Sequence, residues 1–202
     1  DDIPLTRFHL LSHNPMADSF NEVIQKHLEV LWSSKGSGSH GFERYVYATA
    51  LFFYSSEAGY RHIPYQIKYH GNISAGRHFG NMLGHEIAMT PWMQDIDIVI
   101  PVPLHWRRKW TRGYNQAEII GAEVASVLGA QLRTDILKRK RHTKTQTKLD
   151  ISEKASNVKG AFQAAETTIE GIRHVLLIDD VFTSGNTLGE CFMALREVFP
   201  TD

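Results

Sequence analysis

The chain has little cysteine, no excess of charge of either sign and no long apolar run. Cys191 is the single cysteine among 202 residues, so neither an internal disulfide nor a cysteine-based zinc site can form. Lys and Arg total 22, as do Asp and Glu, so no global field points to nucleic acid or an anionic membrane. No signal peptide and no stretch long enough to span a bilayer is visible, which predicts a cytoplasmic protein without membrane insertion.

The order of predicted elements indicates an α/β fold. From residue 96 onward, strands at 96–102, 131–137 and 175–179 alternate with helices at 115–128 and 187–198. This alternation predicts a mainly parallel sheet flanked by helices, with ligands beyond the carboxyl ends of the strands. We expect the strand at 175–179 to be the most buried.

Residues 1–90 are predicted to form a small N-terminal hood, and residues 91–202 the core. Within the hood, an apolar helical face runs from Met16 to Leu31, residues 45–54 resemble a strand, and 62–70 and 73–88 resemble helices. A Ser- and Gly-rich connector is predicted at 33–41. The polar and basic stretch 138–160 predicts a long loop, either a functional lid or disordered.

Two adjacent acids, Asp179 and Asp180, follow the strand at 175–179 and precede a hydroxyl-rich turn. Side chains alternate along an extended chain, so the two carboxylates diverge and can accept hydrogen bonds from neighbouring sugar hydroxyls. The turn from Thr183 to Thr187 offers hydroxyls, backbone N–H groups, a glycine at 185 and the positive end of a helix. The combination predicts a site for a phosphorylated ribose; the alternative is an acidic strand end followed by an ordinary capped helix.

Two other enzyme classes share an apolar run that ends in acids. A Walker B acid requires a Gly-x4-Gly-Lys-Ser/Thr partner, which this chain lacks. A phospho-acceptor receiver domain carries its acids near its N-terminus, whereas too few residues follow Asp180 to complete such a fold.

A second candidate anion site follows the strand at 96–102. The segment from Pro101 passes into Arg107, Arg108, Lys109 and Arg112, and a helix starts near Asn115. Cations at a strand end can neutralise a pyrophosphate, and the helix start adds N–H donors. The alternative is a basic surface loop that Asn115 caps.

The run Val175–Thr187 resembles the motif by which type I phosphoribosyltransferases bind 5-phosphoribosyl 1-pyrophosphate (PRPP). Within that superfamily the chain most resembles the ComF family, which is associated with DNA uptake in natural competence. Three segments carry the narrower resemblance: Gln66–Gly71, Pro101–Ala117 with its Arg-Gly-Tyr-Asn-Gln run, and Arg141–Gln146 followed by Asn157–Phe162. The resemblance covers roughly residues 45–198.

The resemblance implies a type I phosphoribosyltransferase fold and a role for each candidate residue. Asp179 and Asp180 are the implied catalytic pair on the ribose. The implied 5′-phosphate site consists of Val181, Thr183, Ser184, Gly185, Asn186 and Thr187. The implied pyrophosphate site consists of Pro103, Leu104, His105, Arg107, Arg108 and Arg112. The loop 138–160 resembles the mobile lid of relatives, with Arg139, Arg141 and Lys144 as its candidate cations.

Mg²⁺ is the implied cofactor, bound mainly through PRPP and water, so no side-chain metal site is expected. The 11 histidines show no zinc-site spacing with a carboxylate partner. The family's four-cysteine N-terminal zinc module is missing, so either it was removed or this member lacks it. A final strand is also expected beyond residue 198, which suggests truncation.

The expected activity is transfer of the phosphoribosyl group from PRPP to an acceptor that the sequence does not identify. Two other hypotheses remain. One is a non-catalytic module that senses PRPP or a nucleotide for a competence partner. The other is binding of single-stranded DNA through the basic run 133–148.

Overall fold

The structure, a computed structural model, describes residues 5–34, 44–53, 63, 72–105, 110–140, 160–165 and 170–199. Its helices and strands are α1 Pro15–Ser34, α2 Ile73–Ala88, β1 Ile98–Pro101, α3 Gln116–Leu128, β2 Gln131–Leu132, β3 Leu137–Arg139, β4 Phe162–Ala164, β5 Val175–Ile178 and α4 Asn186–Arg196. Short 3-10 helices lie at Phe8–Leu10 and Pro91–Met93. None of the helices in the described residues is long and apolar enough to cross a membrane.

A parallel sheet in the order β2-β1-β5 forms the centre of the fold. A separate antiparallel pair joins β3 to β4. The α/β class and the parallel sheet flanked by helices are therefore confirmed, and the arrangement is consistent with a type I phosphoribosyltransferase-like fold. The division into a hood and a core stays a prediction.

The central strand of this sheet is β1, and every residue of β1 is buried. In β5 only Ile178 is buried. The prediction that 175–179 is the most buried strand was therefore wrong. Within the described sheet β5 has a neighbour on one side only, whereas β1 is covered by strands on both sides.

Side-chain alternation in β1 divides the core into two halves. Ile98 and Ile100 pack with α1, α4 and the β3–β4 pair on one face. Val99 packs with α2 and α3 on the other face. Each face of the sheet is thus covered by helices, as a parallel sheet requires.

Helices α2 and α3 approach closely at Gly80. A Cβ at this position would lie 2.8 Å from the Ile120 carbonyl oxygen and 3.0 Å from Glu123 Cβ. The glycine is therefore required by the short distance between the two helix backbones, a role that was not predicted from the sequence.

The predicted strand at 131–137 is two strands in different sheets. Strand β2 ends at Leu132 and pairs with β1, whereas β3 begins at Leu137 and pairs with β4. The turn between them is closed by the Arg133 guanidinium, which donates to both carboxylate oxygens of Asp135 at 2.8 Å. The predicted loop 138–160 consequently starts too early, because β3 extends to Arg139.

The predicted strand at 45–54 is not a regular strand over its described part, residues 45–53. Its one bridge pairs Phe52 with Leu5. Helix α1 supplies other partners for this backbone: the Asn21 amide accepts from Tyr45 N–H at 2.7 Å and donates to the Val46 carbonyl at 2.9 Å. Side-chain amides thus replace the strand neighbour that the prediction required.

The helices predicted at 115–128 and 73–88 are confirmed, and α4 begins one residue before its predicted start. Helix α1 includes Ser33 and Ser34, which the sequence had placed in the connector 33–41. The rest of that connector lies outside the described residues, as does the predicted helix 62–70 apart from Ile63.

Candidate functional site

The carboxyl ends of β1 and β5 lie side by side. Pro101 is paired with Ile178, and the Val102 N–H donates to the Ile178 carbonyl at 2.8 Å. The segments that follow, Val102–His105 and the acid pair, therefore leave the sheet as immediate neighbours. The structure thus brings together the two chemically rich segments that the sequence had identified separately.

The acid pair lies at the end of β5, where both residues are partly buried. The Asp179 Oδ1 atom accepts from the Asp180 N–H at 2.9 Å. In β5, Leu177 faces the α1–α4 half of the core and Ile178 faces the α2–α3 half. Continued alternation directs Asp179 towards α4 and Asp180 towards α3, as the predicted divergence requires.

The thiol of Cys191 on α4 agrees with this orientation of Asp179. Burial raises the pKa of the Cys191 thiol well above its ordinary value, and the Asp179 carboxylate raises it further. The Arg139 guanidinium acts in the opposite sense on the same thiol. Charges of Asp179 and Arg139 therefore both reach this buried part of α4, and Cys191 itself is unsuited to act as a nucleophile.

The hydroxyl-rich loop leads directly into α4. Gly185 precedes the helix with a φ of 72°, and a Cβ there would lie 3.1 Å from Phe182 Cζ and 3.2 Å from Val23 Cγ2. Both the left-handed backbone and the crowding favour glycine. Asn186 and Thr187 lie in the first helical turn, so the helix N-terminus and its positive dipole face the same loop as Thr183 and Ser184.

The loop after β1 is held by Asn115, the N-cap of α3. Its Oδ1 atom accepts from the Ala117 N–H at 3.2 Å, and its Nδ2 atom donates to the Val102 carbonyl at 3.0 Å. His105 is buried, whereas Pro103 and Leu104 are partly buried. The Asn115 cap, which the sequence analysis gave only as part of the alternative interpretation of this loop, is present, and its bond to Val102 was not predicted.

Among the cations predicted for this site and for the lid, the structure describes Arg112 and Arg139. The Arg112 Nη1 atom donates to the Gln116 Oε1 atom at 3.1 Å, so Arg112 lies against the first turn of α3. Arg107 and Arg108 lie outside the described residues, as do Arg141 and Lys144 of the predicted lid. Arg139 lies in β3, with its guanidinium 5.1 Å from the centre of the Phe162 ring.

A cleft of about 340 Å³ opens beside the end of β1. It is lined by Pro101, Pro103, Leu104, Asn115, Glu118, Thr134, Leu137, Lys138 and Arg139. Its lining does not include the acid pair or the 183–187 loop. Lys138 and Arg139 give one wall a positive charge, and Glu118 contributes a carboxylate. The contributions of Glu118, Thr134 and Lys138 were not predicted from the sequence, because only the tertiary structure brings these three residues to one cleft.

Comparison with known proteins gives matches to competence and DNA-utilization proteins. Competence protein F of Haemophilus influenzae is 40% identical over 103 residues, which cover 50% of this chain and 45% of that protein. DNA utilization protein YhgH of Escherichia coli O157:H7 is 37% identical over 101 residues, which cover 50% of this chain and 44% of that protein. The matched region is thus about half the length of these relatives.

The YhgH protein of Salmonella typhimurium is 31% identical over 131 residues, which cover 63% of this chain and 57% of that protein. These similarities support relatedness to the ComF family. No family model matches the chain. No solved structure matches it either.

Proposed function

We propose that this chain binds PRPP and transfers its phosphoribosyl group to an acceptor, in a process linked to competence and DNA uptake. The observation that carries the proposal is the parallel register of β1 and β5, which places the acid pair beside the loop Val102–His105. A phosphorylated ribose with a pyrophosphate at C1′ requires two anion sites separated by a group that binds hydroxyls. The names of the relatives supply the link to competence and DNA use.

In this proposal the ribose 5′-phosphate binds at the start of α4. Thr183, Ser184 and Thr187 donate hydroxyl hydrogen bonds, and the backbone around Gly185 approaches the phosphate closely. Asp179 and Asp180 accept hydrogen bonds from the ribose hydroxyls. These interactions use the divergence of the two carboxylates and the positive end of the helix.

The pyrophosphate would bind against the loop after β1 and the adjoining cleft. Pro103, Leu104 and Arg139 line that cleft, and Lys138 supplies a further cation. Arg139 would act from a strand that packs against Phe162, rather than from a mobile lid. His105 and Arg112 remain part of the proposal, as do the sequence-based candidates Arg107, Arg108, Arg141 and Lys144.

In this proposal Mg²⁺ is bound mainly through PRPP and water rather than by a cage of protein side chains. Within the described part of the chain, no group of three or more His, Cys, Asp or Glu side chains is placed to hold a metal ion. A cation held by PRPP oxygens and water needs few protein ligands, and Asp179 and Asp180 are the adjacent carboxylates. The ion would supply charge neutralisation of the pyrophosphate.

The reaction breaks the bond between C1′ and the pyrophosphate oxygen and forms a bond from C1′ to a nucleophilic atom of the acceptor. The pyrophosphate leaves with the bonding electrons, and positive charge develops at C1′. The chain would accelerate this step by positioning the groups and stabilising their charges. The acceptor attacks directly, so the proposed reaction requires no protein nucleophile.

Calorimetry with PRPP and Mg²⁺ tests binding, and a pyrophosphate-release screen over bases and amines tests turnover. We expect the double variant Asp179→Asn with Asp180→Asn to lose PRPP binding. Asp18→Asn is the matched control, because Asp18 is an exposed acid in the first turn of α1. Wild-type protein that fails to bind PRPP would refute the proposal. Binding without pyrophosphate release from any acceptor would favour a PRPP sensor.

Single-stranded DNA is the second candidate ligand, and Trp110 is the observation that favours it. This residue is 85% exposed and lies two residues before Arg112. Stacking of a base on an exposed aromatic ring contributes about 1–3 kcal/mol. DNA binding would show a steep salt dependence, would weaken in Trp110→Ala and would be lost on neutralising the cations at 139–144. Salt-independent binding, or none, would exclude this function.

A further inference from the structure

Glu190 connects three parts of the molecule that are distant in sequence. It lies on α4, one turn after Asn186, and its side chain is 12% exposed. Its Oε2 atom accepts from the Gly160 N–H at 2.6 Å, and its Oε1 atom is 3.1 Å from His27 Nε2 on α1. A carboxylate this buried is stabilised only by partners of this kind, so its position is fixed.

The contact with Gly160 extends to Arg139 through the β3–β4 pair. Gly160 leads into Ala161, whose carbonyl accepts from the Lys140 N–H at 2.9 Å. The next residue, Phe162, is paired with Arg139 and carries that guanidinium over its ring. Glu190 thus attaches the strand pair that positions Arg139 to the helix that begins at the proposed 5′-phosphate loop.

Electrostatics support the same arrangement. The charges of Asp179 and Arg139 both affect the thiol of Cys191, the residue next to Glu190. The acid of the ribose site and the cation of the pyrophosphate cleft therefore both lie within electrostatic range of Cys191 on α4. A shift of the β3–β4 pair away from α4 would change the separation of these charges.

We infer that Glu190 is a positioning residue that fixes the distance between the 5′-phosphate loop and Arg139, and hence between the two anion sites. The inference rests on the proposed function. Glu190 touches neither phosphate; it acts through Gly160 and the strand pair. Loss of this carboxylate should therefore weaken binding of pyrophosphate without weakening binding of ribose 5-phosphate.

The test is calorimetry on the full 202-residue chain with inorganic pyrophosphate and with ribose 5-phosphate, each with Mg²⁺. For Glu190→Ala we expect the Kd for pyrophosphate to rise about tenfold and that for ribose 5-phosphate to change by less than about twofold. Glu190→Gln should restore pyrophosphate binding, because its carbonyl oxygen can still accept from the Gly160 N–H. Adding Arg139→Gln to Glu190→Ala should cause little further loss.

His27→Ala is the matched control, because it removes the second partner of Glu190 and leaves the Gly160 contact. It should lower stability without changing the Kd for pyrophosphate. If Glu190→Ala does not fold, Glu190→Asp, one methylene shorter, replaces it with the same expected selectivity.

An unchanged Kd for pyrophosphate, or equal losses for both ligands, would overturn the inference and leave the proposed function standing. Wild-type protein that binds neither ligand would overturn both.

Discussion

Asn115 offers a test of how the loop after β1 is held, because its side chain has two separable roles. One oxygen caps α3, and the amide nitrogen donates to the buried end of β1 at Val102. The substitution Asn115→Asp keeps the capping oxygen and replaces the donor with a second oxygen. If Asn115 were only a cap, the variant would be neutral or slightly stabilised, because Asp caps as well as Asn and its charge suits a helix N-terminus.

The structure predicts the opposite sign. Asn115 is 6% exposed, so a carboxylate oxygen there would face the Val102 carbonyl with little solvent between them. Replacement of the donor leaves the buried Val102 carbonyl without this partner, which costs about 1–3 kcal/mol. The helix dipole returns about 0.3–1 kcal/mol. We therefore expect a net destabilisation of about 1 kcal/mol, or a Tm lower by about 2–4 °C for a chain of this size.

Urea unfolding followed by circular dichroism measures this difference. Asn72→Asp is the matched control, because Asn72 caps α2 by accepting from the Ala75 N–H at 3.0 Å while its side chain is exposed. We expect the control to be neutral or slightly stabilised. Equal behaviour of the two variants would refute the claim that Asn115 secures the loop through Val102.

Gly80→Ala should destabilise the chain by about 1 kcal/mol in urea unfolding, because contact with the Ile120 carbonyl costs more than the gain in helix propensity; a more stable variant would contradict the close helix packing. The backbone N–H groups of His174 and Arg173, just before β5, donate to the Asp97 Oδ2 atom at 2.8 and 2.7 Å and hold the pKa of Asp97 below its ordinary value. The stability that Asp97 provides is therefore present above the unfolded-state pKa and lost as pH falls through the lower folded-state pKa. Asp97→Asn should show a smaller loss below about pH 4 in acid titrations. Cys191, fully buried with a raised thiol pKa, should react with a disulfide reagent only after unfolding, and rapid labelling of the native protein would contradict this.

The features that the sequence predicted well are those that depend on neighbours along the chain. The cap at Asn115 and the glycine at 185 each follow from the backbone conformation of their own turn. The parallel sheet followed from the alternation of strands and helices, because parallel strands need a crossover helix. The meeting of the acid pair with the loop after β1 followed from the rule that ligands bind beyond the carboxyl ends of strands.

The features that the sequence did not predict depend on contacts between distant residues. Strand β1 is more buried than β5 because β1 has a neighbouring strand on each side in the described sheet. The predicted strand 131–137 is divided because β2 and β3 pair with different partners. The segment 45–53 is held by the Asn21 amide of α1 rather than by a neighbouring strand. None of these partners can be identified from local composition or periodicity.

The sequence by itself determined which chemical groups this chain carries: an acid pair, a glycine-bearing hydroxyl loop and a basic loop at strand ends. Each is encoded within one short segment. The tertiary structure alone decided the relative positions of these groups. It placed Arg139 in a strand against Phe162 and brought Glu190 within hydrogen-bond distance of Gly160, 30 residues away, and of His27, 163 residues away. The physical reason is that the type of each group is set by its residue, whereas the distance between two groups is set by the packing of the elements that carry them.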